Sequence, residues 1–251
     1  MIATPSDSWL RGLSLVGFLV IWQGVAYLLD DPMVPGPDVV LLSFWQHATE
    51  GELFFHLGVT LLRVAAAFTI AMLVGTALGI IMGRYLRLDA SLDGVLVLGL
   101  NIPALVTIIL CYIWFGLTEA AAVTAVALNK IPTVVVTVRE GARAVDRKLL
   151  QVADAFDLPR SLKLSQVYMP QLYPYLMAAA RSGLALIWKI VLVVELLGRS
   201  NGVGFQLSTY FQFFDITSIL AYTLAFAGVV LLIEALLMRP LDYRLSRWRA
   251  T

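Results

Sequence analysis

The chain has 251 residues, of which 60% are hydrophobic and 14% charged, with a net charge of +1 and a mean hydropathy of +0.85. A soluble domain carries roughly 25% charged residues, so this composition excludes an ordinary soluble fold and predicts an all-α polytopic membrane protein surrounded by lipid. Near-neutral charge, with no basic tail or aromatic-basic array, argues against a nucleic-acid partner.

A helix that spans a bilayer needs roughly 20 mostly apolar residues, and six segments qualify, at about 10–29, 58–82, 95–115, 119–138, 173–197 and 218–238. The first has an apolar stretch too long for a signal peptide. Only Arg11 leads it and no small-x-small site precedes Asp30-Asp31, so a retained helix is expected. From Asp30 to Leu57 the chain carries Asp30, Asp31, Asp38, Glu50 and Glu52 but no Lys or Arg. This connection is expected outside, with a short surface helix from about Asp38 after the Pro/Gly-punctuated MVPGPDVV. His47 and His56 lack a third ligand at metal spacing and read as interfacial polar residues. In the second span Gly75, Gly79 and Gly83 line one stripe, suited to helix packing or to a dimer or gating contact. Cys111, the single cysteine, reads as a small core residue without a disulfide.

Positive charge gathers on the opposite side. Arg84 and Arg87, then Arg139, Arg143, Arg147, Lys148, Arg160 and Lys163, then Arg239, Arg244, Arg247 and Arg249 share one face with both termini. That face is expected to be cytoplasmic; Arg199 is the exception. Two lysines lie deep, Lys130 and Lys189, each about eight residues or ~12 Å from the end of its span. They either line an anion pathway or pair with a carboxylate or a helix-end carbonyl. Glu195 is nearest to Lys189 in sequence, but lies about 120° around the helix from it. Arg181 and Trp188 share a face and are expected to form a packed ridge.

No phosphate-binding loop of the G-x-x-x-x-G-K-S/T form occurs, so the chain is not expected to hydrolyse ATP. No Ser-His-Asp grouping lies at membrane depth, and enzymatic activity is not expected. What stands out is a polar segment between the fourth and fifth spans, about 139–172. Residues 139–170 of it read REGARAVDRKLLQVADAFDLPRSLKLSQVYMP: a helical run to Phe156, a break at Asp157-Leu158-Pro159, and a second helix expected to close at Pro170.

This segment resembles the EAA loop of binding-protein-dependent ABC importer permeases, whose pattern is E-A-A-x3-G-x9-I-x-L-P. Gln151, Val152 and Ala153 occupy the EAA places, Asp157 the Gly place, and Val167, Met169 and Pro170 the closing triplet. The spacing is kept while several identities change, and Asp can adopt the left-handed turn that Gly usually supplies. The likeness extends along most of the chain. GELFFHLGVTLLRVAAAF, LDGVLVLGLNIPALVTIILCYIWFGLTE and RSGLALIWKIVLVVELLGRSNGVGF are similar to the nitrate/sulfonate/taurine-type subfamily. The last run includes Arg181, Trp188, Glu195, Gly202 and Gly204.

The resemblance implies a type I ABC importer transmembrane-domain fold spanning 1–251 as one permease domain. It implies two permease copies around a central pathway in a bacterial inner membrane, and two cytoplasmic ATPase subunits that bind ATP and Mg. A periplasmic or lipid-anchored solute-binding protein would deliver the cargo, and this chain would hold no cofactor. The coupling helix, roughly Leu150 to Arg160, would present Gln151, Ala153, Asp154, Phe156, Asp157, Leu158, Pro159 and Arg160 to the ATPase, with Pro170 closing the loop. Lys130, Arg181, Trp188, Lys189 and Glu195 would belong to the pathway. Asn129-Lys130 and Lys189 stand where the subfamily carries apolar or small residues, which suggests anionic cargo. An ion-coupled carrier using Lys130 and Lys189, or a membrane scaffold that binds an ATPase without moving cargo, are the alternatives.

Overall fold

The structure, a computed structural model, describes residues 5–238 and 240; Arg239, Arg244, Arg247 and Arg249 lie outside the described residues. The described elements are all helical. Helix α1 (Pro5–Leu29) leads through a short turn to α2 (Pro37–Thr49), the expected surface helix, which starts with Pro37 in its first turn. There the missing proline N–H costs nothing, because the first helical donors have no intrahelical partner. Helix α3 (Leu53–Arg84) is followed by α4 (Leu86–Asn101), α5 (Ala104–Phe115) and α6 (Glu119–Arg143). Thr118 caps α6 by accepting from the Ala121 amide at 3.1 Å.

Five helical runs are long and apolar enough to cross a membrane: Gly12–Leu29, Leu53–Arg84, Glu119–Arg143, Arg160–Gly198 and Ile216–Leu236. Helices α4 and α5 make the sixth only together, because they meet at 98°. The expected continuous span at about 95–115 is therefore broken. Pro103 removes a backbone donor and disfavours helical geometry at the residue before it, and Ile102 is extended, with ψ 123.

The loop after α6 holds a short helix, α7 (Arg147–Ala155), and then the chain turns into α8 (Arg160–Leu162). Pro170 does not close a second loop helix. A π-helical turn, Lys163–Tyr168, carries α8 directly into α9 (Met169–Gly198), so one helical run covers Arg160–Gly198. Pro170 sits in the first turn of α9, where the wider turn before it accommodates a residue that cannot donate to the preceding ladder. The chain finishes with α10 (Val203–Gln212), α11 (Ile216–Ile233) and a π-helical turn, Glu234–Met238.

Helix α6 is the centre of the bundle, packed most extensively on α3 and then on α9. Lipid removes most of the hydrophobic drive between helices, so close backbone approach has to supply the attraction. The glycine stripe of α3 provides it. A Cβ on Gly75 would lie 2.6 Å from the Val134 Cβ, on Gly79 2.8 Å from the Val138 Cβ, and on Gly83 2.6 Å from the Ala142 Cβ. These glycines seat α3 on α6 within one chain, which decides the open question for ordinary helix packing. Cys111 is buried in the core between these helices. No residue in the apolar span of helix α1 is buried, and the helix is tied to the rest where the Trp22 indole N–H donates to the Pro35 carbonyl at 3.0 Å.

Candidate functional site

The loop between α6 and α9 folds into a compact elbow. Asp146 caps α7 by accepting from the Lys148 amide at 2.8 Å, and its own amide donates to Gln171 Oε1 at 2.8 Å, pinning the elbow to α9. At the other end Phe156 terminates α7 and Asp157 takes a left-handed conformation, φ +48. The Asp157 amide then donates to the Asp154 carbonyl and the Leu158 amide to the Ala153 carbonyl, each at 3.0 Å. The carbonyls that a helix end leaves without partners are thereby met. Asp157 does here what a glycine would do, as its place in the pattern predicts. Lys163 reaches back to pair with Asp154 across the turn.

The elbow leaves apolar groups on its surface. Leu149, Val152, Phe156, Leu158, Val167 and Pro170 line a groove of ≈ 560 Å³. Phe156 is 77% exposed, at the end of a nine-residue helix too short to cross a bilayer. Gln151, Asp154, Pro159 and Arg160 surround it on the exposed face, while Ala153 is buried and packs α7 down. Of the two readings of Phe156 and Leu158, packing inside the loop does not account for this exposure.

The second polar centre lies where α3, α6 and α9 meet the connection after α9. Arg63, buried in the middle of an apolar run, donates from Nη1 to Glu195 Oε1 at 2.7 Å and to the Asn201 carbonyl at 2.8 Å. Its Nε donates to Glu119 Oε2 at 2.8 Å and its Nη2 to Glu119 Oε1 at 2.6 Å, with a further bond from Nη2 to the Asn201 side chain. Glu195 is wholly buried and also accepts from Thr60 Oγ1 at 2.9 Å and from the Gly204 amide at 2.8 Å. Any side chain on Gly202 or Gly204 would run into Glu195, and Gly202 has φ +104. Arg199 joins the network through Glu119 and donates to the Leu117 carbonyl at 2.5 Å. The sequence reading did not single out Arg63, Glu119 or Asn201, and it left Glu195 as a pathway residue or a counter-ion for lysine.

Beside this centre His56 accepts from the Gly202 amide at 3.0 Å on Nδ1 and bonds Gln206 at 2.7 Å through Nε2. His47 bonds Ser218 at 3.0 Å and packs on Tyr210 and Tyr222. Burial pushes the Tyr210 phenol above its ordinary value. His56 is buried and His47 half-buried, and both have protein partners.

The remaining pathway candidates separate. Lys130 is buried between α6 and α9, and its ammonium lies 3.5 Å from the Ser182 carbonyl. Lys189 is exposed on α9. Trp188 is buried, edge-on to Phe226 with ring centroids 5.7 Å apart. Arg181, two turns earlier, is exposed and ion-paired with Glu234 at 3.5 Å. Arg181 and Trp188 therefore do not make the single packed ridge their spacing suggests: both lie on α9, but only Trp188 is buried.

Residues 75–248 match the family described as binding-protein-dependent transport system inner membrane component. The chain is 30% identical to the SsuC permease protein of Bacillus subtilis (strain 168), named for aliphatic sulfonates transport, over 96% of this chain and 88% of that one. It is 28% identical to the taurine transport system permease protein TauC of Escherichia coli (strain K12), over 94% of this chain and 88% of that one. It is 24% identical to the bicarbonate transport system permease protein CmpB of Synechococcus elongatus, over 88% of this chain and 83% of that one. The crystal structure of an amino acid ABC transporter with histidines superposes with a TM-score of 0.55 at 22% identity, covering 76% of this chain and 97% of that one.

Proposed function

The chain belongs to the binding-protein-dependent transport system inner membrane component family, and from that premise we propose that it forms half of the pathway of an ATP-driven importer for small anions. Two copies would enclose the pathway in a bacterial inner membrane, with both termini and the elbow on the cytoplasmic side. Each elbow would sit in a cleft of a separate ATPase subunit, which holds ATP and Mg, and a solute-binding protein outside would present the cargo. The relatives named for aliphatic sulfonates, taurine and bicarbonate support an anionic cargo.

The observation that carries this reading is the elbow: a capped, cross-tied helix with Phe156 exposed beside an apolar groove. Exposed apolar groups on a rigid, polar-rimmed projection fit a soluble protein partner. Gln151, Ala153, Asp154, Phe156, Asp157, Leu158, Pro159, Arg160 and Pro170 are the coupling residues of this proposal. Closure of the ATPases on ATP would bring the two elbows together. Because α8, the π turn and α9 form one helical run from Arg160 to Gly198, displacement of the elbow would pass directly into the bundle as a rigid-body movement.

Replacing Phe156 and Leu158 together by Asp tests this. The double variant is expected to insert in the membrane at normal levels and to lose the co-purifying ATPase. Normal assembly and uptake in that variant would defeat the proposal.

A further inference from the structure

At the elbow end of the bundle several cations are neutralised by acids of the protein itself. Arg139 meets Asp89 and Asp93, Arg143 meets Asp89 and Glu140, and Lys163 meets Asp154. Arg84 and Arg87 are different. They stand on either side of Tyr85, the single residue between α3 and α4, and among the described residues neither forms an ion pair. Every residue from Arg84 to Leu88 is exposed, so the corner shows two guanidiniums interleaved with Tyr85, Leu86 and Leu88. The Arg84 guanidinium carbon lies 5.8 Å from the centroid of the Tyr85 ring, within reach of cation–π attraction.

Helix length sets the depth of this corner. Helix α3 has 32 residues, a rise of about 48 Å. Centred on a hydrocarbon core of roughly 30 Å, it ends ~9 Å beyond the core, among the lipid headgroups. Its last residue is Arg84. The corner is also fixed from both sides. Gly83 seats α3 on Ala142 of α6, and Asp89 ties the first turn of α4 to Arg139 and Arg143. Arg84 and Arg87 are three positions apart, so their Cα atoms are at most ~11 Å from one another, and both side chains reach a common phosphate. The planar donor fork of arginine matches phosphate oxygens. Exposed Leu86 and Leu88 beside it favour acyl chains over water, which a free phosphate ion would not supply.

We infer that the α3–α4 corner seats an anionic phospholipid, its phosphate between Arg84 and Arg87 and its acyl chains over Leu86 and Leu88. The lipid stands at the foot of the elbow, since Ala142 lies just before Asp146, the cap of α7. This goes beyond the importer reading and does not depend on it.

Native mass spectrometry tests the site on the purified protein, with the subunits that accompany it, titrated with phosphatidylglycerol or phosphatidylcholine. The unaltered protein is expected to bind phosphatidylglycerol at least tenfold more tightly. Arg84→Gln or Arg87→Gln is expected to weaken that binding about fivefold, and the double variant about thirtyfold, with phosphatidylcholine binding unchanged. Arg147→Gln with Lys148→Gln removes two exposed cations from the elbow and is expected to keep the selectivity. Equal binding of the two lipids by the unaltered protein overturns the site, as does unchanged phosphatidylglycerol binding by the Arg84–Arg87 double variant. An equal loss in the elbow variant overturns it in favour of diffuse charge attraction. Displacement of phosphatidylglycerol by inorganic phosphate overturns it in favour of a plain anion site. Loss of a co-purifying ATPase from the Arg84–Arg87 variant, with lipid binding intact, would assign the corner to that soluble partner instead.

Discussion

Replacing Arg63 by Leu removes the hub of the buried network and leaves Glu195, with no exposed surface, holding a carboxylate without a cation. Thr60 Oγ1 and the Gly204 amide still donate to it, but neither carries charge. Taking one partner from a buried ion pair costs about 3–5 kcal/mol, roughly two to nearly four orders of magnitude in the folding equilibrium. The Glu119 arm adds little, about 0–1 kcal/mol, because that carboxylate is 54% exposed and keeps Arg199. Unfolding of the purified protein by SDS titration in mixed micelles reads the difference. If the charge pair is the cause, Arg63→Leu combined with Glu195→Leu loses at least ~1 kcal/mol less than the sum of the two single changes. Stability of Arg63→Leu within about 0.5 kcal/mol of the parent, or additive costs in the double variant, would refute the reasoning.

Two further substitutions probe backbone geometry. Gly75→Ala places a Cβ against Val134 at 2.6 Å and is expected to cost about 1–3 kcal/mol by overpacking α3 against α6. Gly58→Ala in the same helix meets nothing within 4 Å and is expected to be neutral or slightly stabilising; equal effects at the two sites would count against the packing account. Asp157→Gly should relieve a left-handed residue and slow exchange of the Leu158 amide, which donates to the Ala153 carbonyl. Asp157→Val should speed that exchange, and no change in either variant would show that the turn is not strained at this residue.

The spans were legible because each requires a long apolar run, and the elbow because its polar, proline-broken segment interrupts them. Asp157 could be assigned its left-handed turn through the resemblance, in which it holds the Gly place of the pattern. Three features were not legible, for separate reasons. The break at Ile102-Pro103 lies inside a run that is apolar on both sides, so hydropathy joins what backbone geometry divides. Pro170 follows a π turn, which leaves no mark in residue periodicity. The Arg63 network needs residues from three helices and a loop, with separations of 56 to 138 positions. Its one local sign was a cation inside LLRVAAAF, and that alone does not say which carboxylates the cation meets.

The bent span has a consequence for how the protein is made. Helix α5 is 12 residues long, about 18 Å, too short to cross a bilayer by itself. Asp89 and Asp93 on α4 find Arg139 as their counter-charge, 50 and 46 positions further along the chain. When the ribosome has finished this broken segment, neither half is a self-sufficient membrane anchor and its acids are still unmatched. It becomes a stable part of the bilayer only once α6 has emerged. Integration of this protein is thus a step that two neighbouring segments complete together, and truncations ending between Phe115 and Arg139 should leave the broken span facing the translocation machinery.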